Sequence, residues 1–384
     1  MHHADGHPRL SRWFAAFIAA WLSLLLLQSK QTPGFTDTVS VGEHTPGETK
    51  QQTRQKTIHY AGRTLDLTLF AITRALDVIA GELWHRRHLR RQAAGTWTSL
   101  ESAISRLADP ALFALSSGLV MWAWFYSPSR LPRGYNKWIS TAAAVDARLI
   151  TALQHCRSGA LCYGVDTGHA PLLGSMCADY GLPPHWGDPA HSIPFPCELV
   201  HMGVGPSCER HALSRFLRSF RWAMATYLPL NLLLLARNPK SLSSLAALRR
   251  TFISSARSSA FLGAFIALFY YGVCLARTRL GPSFLGHTTP SRQKIDGGVC
   301  VASGCLLCGW SILLEQAGRR KDMALFVAPR ALATLFPRRY GKGKEWRERV
   351  VFAASTAVVF TCVRENRRRV RGVLGGVLGS VLGA

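Results

Sequence analysis

Cysteine and histidine side chains concentrate in one segment of the chain, between residues 155 and 211. The tightest spacings are Cys197-x₃-His201 and Cys208-x₂-His211. Thiolate and imidazole groups suit Zn²⁺, and four of them can close a tetrahedron around it. These four residues are only weak metal candidates, because the remaining spacings match neither a zinc ribbon nor a zinc finger. The segment contains Cys156, Cys162, Cys177, Cys197 and Cys208, with His155, His169, His185, His191, His201 and His211.

Two other interpretations of these cysteines stay open beside a metal site. They could form disulfides in an oxidising compartment, or they could remain reduced and contribute only to packing. A second group, Cys300, Cys305 and Cys308, lies in an apolar run rich in Val, Leu and Gly. Buried cysteine behaves as a small hydrophobic residue in such surroundings, so we expect Cys305-x-x-Cys308 to be structural rather than a redox pair.

Sequence signatures of catalysis are missing. The chain contains no G-x-S-x-G, no H-E-x-x-H, no phosphate-binding loop and no dinucleotide fingerprint. We therefore expect a protein that is not an enzyme, and we assign it no cofactor.

The apolar segments indicate a membrane protein. The chain has 384 residues, of which 48% are hydrophobic and only 17% are charged. Five runs free of Lys and Arg approach the roughly 20 residues that cross a bilayer, and together with weaker segments they predict an all-α, polytopic membrane helical bundle of about six to eight membrane helices. We expect the first run to be a retained helix, because no small-x-small cleavage motif follows it. The runs are Trp13–Leu27, Pro110–Pro128, Trp222–Ala236, Ser258–Ala276 and Ile295–Leu314.

The net charge of +25 comes from basic clusters between the apolar runs. There Lys and Arg can contact anionic lipid headgroups, each for about 1 kcal/mol. We expect the lipid bilayer and these headgroups as partners, together with other membrane proteins or a second copy of the chain. Nucleic acid is excluded as a partner, since no recognition module is visible and the Trp and Tyr residues mostly lie in or beside apolar runs.

A repeated motif, D-x-x-L-F-x-x-x-R-A-L, predicts that the chain contains a duplicated three-helix unit. It places Asp66 and Arg74 in one copy and Asp322 and Arg330 in the other. Shorter motifs precede and follow each copy in the same order, namely Ser23–Gln28 with Phe113–Val120, and Ser311–Gln316 with Phe352–Val359. Charges within membrane helices face protein or water, so we expect these four residues and Asp77 in the interior of the bundle. We also expect Asp66 to pair with Arg330, and Asp322 with Arg74.

This pattern suggests four regions. We expect residues 1–150 to form the first repeat unit, with a flexible polar loop at 28–63, and residues 151–214 to form the Cys/His-rich region. Residues 215–280 then form a central helix pair, and residues 281–384 form the second repeat unit with a basic, Gly-rich tail.

Four motifs follow one another through the Cys/His region and the next helix: Cys197-Glu198-Leu199-Val200-His201, Ser207-Cys208, Phe216-Leu217-Arg218 and Tyr227-Leu228-Pro229-Leu230. Together they resemble the cysteine-rich amino-terminal region of the transmembrane protein 135 family, and the amino-terminal third of the chain resembles fungal members. The resemblance singles out Cys197, Glu198, His201, Cys208 and Pro229 as family positions without known chemistry. It implies a polytopic protein of the peroxisomal or mitochondrial membrane with a role in lipid homeostasis, distantly similar to the inner-membrane translocase superfamily.

These observations lead to one expectation for function and two alternatives. We expect an integral membrane protein of an organelle, non-enzymatic, that transports or organises lipid or a small solute. The alternatives are a membrane-embedded metal-dependent enzyme that uses the Cys/His region, and a translocase-like import or scaffold component. Because a protein of these organelle surfaces faces the reducing cytosol, we expect the cysteines from Cys156 to Cys208 to be reduced and structural.

Overall fold

The computed structural model describes residues 8–30, 32–42, 53–237, 244–366 and 369–381, and most of them are helical. The prediction of an all-α fold class is confirmed at the level of secondary structure. The chain divides into two compact units, one formed by Met1–Ser105 with Leu325–Ala384 and the other by Arg106–Ala324. These units differ from the four expected regions, because helices from the two ends of the chain pack together in the first unit.

The helices are named in chain order. They are α1 (Pro8–Ser29), α2 (Leu65–Ala93), α3 (Ser99–Tyr126), α4 (Arg133–Ala143), α5 (Ala147–Ser158), α6 (Ala170–Asp179), α7 (Cys197–Val200), α8 (Cys208–Ala236), α9 (Leu245–Leu275), α10 (Gly281–Leu285), α11 (Thr289–Lys294), α12 (Cys300–Cys308), α13 (Ala317–Ala333), α14 (Glu345–Glu365) and α15 (Val373–Val381).

In the first unit, α14 packs against both α1 and α2. A small core forms where Ala75 and Val78 of α2 meet Val359 and Val363 of α14, together with Val370. The side chains are small or β-branched, so the helices can approach closely.

The prediction of a flexible polar loop at residues 28–63 is wrong for two stretches of the described chain, because these stretches form β-strands. β1 (Thr36–Gly42) pairs antiparallel with β2 (Thr53–Ala61), and β2 pairs with the two-residue β3 (Tyr340–Gly341). β1 is rich in β-branched residues, with Thr36, Thr38, Val39 and Val41 among its seven, and such residues favour strands. The low hydrophobicity of the segment hid that signal.

In the second unit, α8 and α9 form an antiparallel pair. Asn231 donates a hydrogen bond to Ser255 (2.9 Å) near one end, while Gly263 of α9 lies against the carbonyl of Phe216 near the other. α9 continues through a π-helical segment, Ala276–Leu280, and packs along α12. A Cβ atom on Gly272 would lie 2.8 Å from the Cα atom of Gly304, so this contact requires glycine.

The Cys/His-rich region is fastened to α11 by one side chain. The amide of Gln293 donates to the carbonyls of Cys156 (3.0 Å) and Leu161 (2.7 Å) and accepts from the backbone N–H of Tyr163 (2.9 Å). Three hydrogen bonds to backbone groups order a segment that contains little regular structure.

Four helices of the described chain are long and apolar enough to cross a membrane: Arg9–Ser29, Ser99–Tyr126, Leu245–Leu285 and Thr289–Leu314. They coincide with four of the five apolar runs found in the sequence. The fifth run, Trp222–Ala236, forms the second half of α8, after a first half that contains several arginines. It is not among these four helices. Four apolar helices of this length are consistent with an integral membrane protein.

Candidate metal centre

Local structure brings the first two sulfur and nitrogen donors together. Cys197 opens the short helix α7 directly after Pro196, and His201 caps its carboxyl end. Side chains four residues apart share one side of a helix, so both point the same way. Cys208 is the first residue of α8, whose N-cap Ser207 accepts a hydrogen bond from the backbone N–H of Arg210. The turn between α7 and α8 therefore brings Cys208 close to Cys197 and His201.

The fourth donor is Cys274, near the carboxyl end of α9. The Sγ atoms of Cys197, Cys208 and Cys274 and a ring nitrogen of His201 all lie within 4.8 Å of one another. Cys197 Sγ lies 3.7 Å from Cys208 Sγ and 3.8 Å from Cys274 Sγ. His201 Nε2 lies 3.4 Å from Cys197 Sγ and 3.5 Å from Cys274 Sγ.

Four of these separations match the edges of a zinc tetrahedron. With Zn–S bonds of about 2.3 Å and a Zn–N bond of about 2.0–2.1 Å, two sulfur ligands stand about 3.8 Å apart and a sulfur and a nitrogen about 3.5 Å apart. Four of the six donor separations fall within about 0.1 Å of those values. The donor set is of a kind found in structural zinc sites, three thiolates and one imidazole.

The imidazole of His201 is held in the orientation that ligation needs. Its Nδ1 lies 2.6 Å from the carbonyl oxygen of Gly205, which can only accept, so Nδ1 carries the proton. Nε2 therefore faces the three sulfurs: it can donate to the Cys197 thiolate while the ring is protonated, and it offers a lone pair to a metal ion once the ring is neutral. A backbone carbonyl bound to the far nitrogen is the usual support of a metal-binding histidine.

The electrostatics of the cluster favour a thiolate at Cys197. Hydrogen bonds from the Cys274 thiol and from His201, together with the positive charge of Arg277, hold the pKa of Cys197 well below its ordinary value, although burial opposes this shift. Burial, and then the negative charge on Cys197, raise the pKa of Cys208 to about 11. In the metal-free protein one thiolate is thus stable and a second is costly, and a divalent cation removes that cost.

His211 was a candidate ligand, and the structure gives it another position. Its ring stacks on the ring of His201 with centroids 4.6 Å apart, and it contacts Tyr270 edge-on. Burial, and then the charges of Arg215 and His201, lower the pKa of His211 to about 3, so it is neutral. His211 therefore packs against the ring of His201 instead of joining the cluster, and Cys274 is the fourth donor.

Sequence reasoning missed Cys274 because nothing near it in the chain signals a metal ligand. It lies in the apolar stretch Phe269–Leu275, where cysteine resembles any small core residue. One turn further on, Arg277 is buried and donates to the carbonyl of Phe195 (3.0 Å), two residues before Cys197. A basic residue inside an apolar helix was the available signal.

The other six cysteines lie outside this cluster. All ten cysteines lie in the described part of the chain, and none is in a disulfide. Cys305 and Cys308 are buried in α12, and the thiol of Cys308 bonds the carbonyl of Cys305 in its own helix. This arrangement agrees with the expectation for that pair.

The charges expected in the bundle interior have different surroundings in α2. Arg74 is buried and donates to the carbonyl of Arg371, while the Asp77 carboxylate, 6% exposed, accepts from the Arg371 guanidinium. Asp66 is 53% exposed and pairs with Arg338 rather than with Arg330 as expected. The pairing prediction for Asp66 is therefore wrong, since Asp66 occupies the first turn of α2, near the sheet.

The second repeat copy lies in α13. Arg330 is partly buried there, with its guanidinium over the ring of Phe326, and Asp322 is also partly buried. Of the remaining family positions, Glu198 is partly buried in α7 and Pro229 is exposed within α8. Neither lies among the four metal donors.

No protein-family model, no curated protein and no solved structure matches this chain.

Proposed function

We propose that the protein is a non-enzymatic integral membrane protein in which a structural zinc centre, formed by Cys197, His201, Cys208 and Cys274, fixes the Cys/His-rich region to a membrane helix. The observation that carries this proposal is the tetrahedral spacing of the four donors. Soft thiolate ligands in a tetrahedral arrangement favour zinc over the hard cations Mg²⁺ and Ca²⁺.

The closed donor set supports a structural role over the alternative of a metal-dependent enzyme. Catalytic zinc keeps one position for water or substrate, whereas four protein ligands leave none. His201 and Cys274 are fully buried, so a substrate has no direct approach to either of them.

The centre connects two neighbouring segments to a third that is distant in sequence. Cys197 and His201 come from α7, Cys208 begins α8, and Cys274 belongs to the candidate span Leu245–Leu285. A bound ion would crosslink the Cys/His-rich region to the α8–α9 pair, and its binding free energy would add to the stability of the folded state.

The cellular role that fits this assignment is the organisation or transport of lipid or a small solute. The four candidate spans and the basic surface support it, and the resemblance to the transmembrane protein 135 family extends it to the peroxisomal or mitochondrial membrane. A bundle of about six to eight crossings with an internal duplication belongs to the same proposal. Localising a tagged copy against markers of both organelles tests this part, and residence in neither would contradict it.

Metal analysis of the purified protein tests the centre. We expect one zinc ion per chain in protein purified in detergent without chelator. The variant Cys274→Ser should lose most of it, while Cys305→Ser, a buried cysteine outside the donor set, should keep it. Metal-free but folded wild-type protein, or equal zinc in the two variants, would overturn the assignment.

A further inference from the structure

The first unit contains a cavity between α1 and α2. α14 packs against both helices, so its side chains form the floor of the gap and the other two helices form its walls. The volume of about 590 Å³ lies within the range of about 300–1,000 Å³ that is typical of small-molecule sites. The lining residues of α2, from Val78 to Arg86, fall within about 140° around the helix, and those of α14, from Val358 to Glu365, fall within about 100°. Each helix therefore presents one continuous face to the same cavity.

Hydrogen bonds and ion pairs fix the relative directions of these three helices. At one end, Gln28 near the end of α1 and Thr64 just before α2 both donate to Glu348 in the first turn of α14. At the other end, Arg9 near the start of α1 pairs with Glu365, the last residue of α14 (2.7 Å). α2 therefore runs parallel to α14, and α1 runs antiparallel to both.

The charged side chains of the cavity gather at one end. Glu82 pairs with Arg86 (2.7 Å) and with Arg369 (2.8 Å). The pair between Arg9 and Glu365 lies at the same end. Three arginines face two carboxylates there, which leaves one positive charge in excess. Arg86 donates to Glu82 through Nε, and among the residues that the structure describes no acceptor contacts its two terminal amino groups.

The opposite end of the cavity is apolar. Val78 lies eight residues before Arg86, about 12 Å along α2. Val358 lies at the corresponding level of α14, seven residues before its end, and Trp13 adds an aromatic ring from α1. The cavity is therefore amphipathic along its length, with a basic end and an apolar end.

We propose that this cavity binds a single-chain amphiphile with a carboxylate head, chemically a long-chain fatty acid. The head contacts Arg86 and Arg369, and the chain runs between α1 and α2 over Val358. A carboxylate carries one negative charge, which matches the single positive charge in excess, and arginine binds carboxylates through two parallel hydrogen bonds. A dianionic phosphate head would exceed that charge and place a like charge against Glu82. An acidic peptide lacks the apolar chain that the other end of the cavity accommodates.

The inference names a ligand class for the proposed role in lipid organisation or transport, and in that respect it rests on the proposed function. It does not rest on the zinc centre, whose donors all lie in the second unit. Localisation and metal analysis test the proposed function, whereas ligand binding by the purified protein tests this inference, so the two failures are distinguishable.

Retention of oleate by the full-length protein tests the proposal. The protein in a non-ionic detergent is incubated with oleate or with methyl oleate, passed through gel filtration and analysed by native mass spectrometry. We expect one oleate per chain and little methyl oleate, because the ester has no charge for the arginines. Arg86→Gln should weaken oleate binding by about tenfold, since it removes hydrogen bonds to a charged group. Arg364→Gln, which changes an exposed arginine of α14 outside the cavity, should leave binding unchanged.

A second pair of variants tests the apolar end. Ile79 lines the cavity and is exposed, so Ile79→Trp should fill the cavity and lower oleate retention. Leu67→Trp, at a similarly exposed position 12 residues earlier in α2, should have no effect. Equal retention of oleate and methyl oleate would overturn the proposal, as would stronger retention of oleoyl lysophosphatidic acid or unchanged oleate retention in Ile79→Trp. The thermal midpoint of each variant shows that a loss of oleate is not a loss of the fold.

Discussion

The Nε2 atom of His201 lies 3.5 Å from the Sγ atom of Cys274, although 73 residues separate them in the sequence. The contact exists only when α9 is docked against the turn that carries α7. A metal ion held between these residues is therefore bound by the tertiary structure, not by a local motif. Metal binding and the docking of α9 should therefore be coupled, so a change that weakens one should weaken the other.

Exchanging ligands separates the metal donors from their supports. Cys274→Ser should reduce zinc to well below one equivalent, because serine is a poor ligand for zinc and the remaining three donors leave the site open. His211→Phe should retain zinc, since phenylalanine can stack on His201 as His211 does. Loss of zinc in His211→Phe, with retention of zinc in Cys274→Ser, would show that His211 rather than Cys274 is the fourth ligand. Metal analysis and the thermal midpoint of each variant provide the measurement.

Acidification should release the metal. Zinc binds the neutral imidazole and the thiolates, so protons compete with it and affinity falls as pH falls. Burial lowers the pKa of His201, but its hydrogen bonds with Cys197 and with the Gly205 carbonyl together outweigh burial and raise the pKa above the ordinary value of 6.5. The contribution of zinc to stability therefore falls continuously as the pH drops below the pKa values of the metal-free ligands, which include about 11 for Cys208, and it is smallest at acidic pH.

A chromogenic chelator records this release as a function of pH. His211→Phe should give the same profile as the wild type, because His211, with a pKa of about 3, stays neutral throughout the range where zinc is lost. A profile displaced by this change, or zinc retained equally at neutral and acidic pH, would contradict the assignment.

The sequence predicted the all-α fold class and the apolar segments, and its weak metal candidates include three of the four residues that the structure brings into the Cys/His cluster. Apolar runs locate the candidate spans, since bilayer thickness sets their length. Cys197, His201 and Cys208 were found because they lie close together in the chain. Cys274 was not, because only the packing of α9 brings it there. The Asp66 partner was missed for a related reason: the repeat gives charge type and spacing but not which helices are neighbours.

Two aspartates of α2 should differ in their contribution to stability. Asp77→Asn removes a nearly buried carboxylate bound by Arg371, and we expect a loss of about 1–3 kcal/mol. Asp66→Asn breaks an exposed pair with Arg338, which should cost less than about 1 kcal/mol. Unfolding in mixed micelles with increasing denaturing detergent gives the comparison. A larger loss of stability for Asp66→Asn than for Asp77→Asn would indicate that Asp66 lies in the bundle interior.

The last prediction concerns the ion pair between Arg277 and Asp296, which are 3% and 1% exposed. Arg277 binds both carboxylate oxygens, at 2.6 and 2.9 Å, and Tyr163 donates its hydroxyl to the same carboxylate. Asp296→Asn would leave the guanidinium buried without a counter-charge, at a cost of about 3–5 kcal/mol. We expect a strong fall in the thermal midpoint. Zinc retention should also fall, because the Arg277 bond to the Phe195 carbonyl holds the backbone next to Cys197.

Arg279, two residues along the chain from Arg277, supplies the control. It pairs with Glu209 on the surface, where the two side chains are 59% and 53% exposed, so Arg279→Gln should change stability by less than about 1 kcal/mol. The double variant Arg277→Met with Asp296→Leu should recover much of the stability lost in Asp296→Asn, since apolar residues of similar shape often replace a buried pair without loss. If recovery of stability comes without recovery of zinc, Arg277 has a second role as the side chain that positions Cys197. If the Asp296→Asn and Arg279→Gln variants unfold at the same temperature, the buried pair does not stabilise the fold.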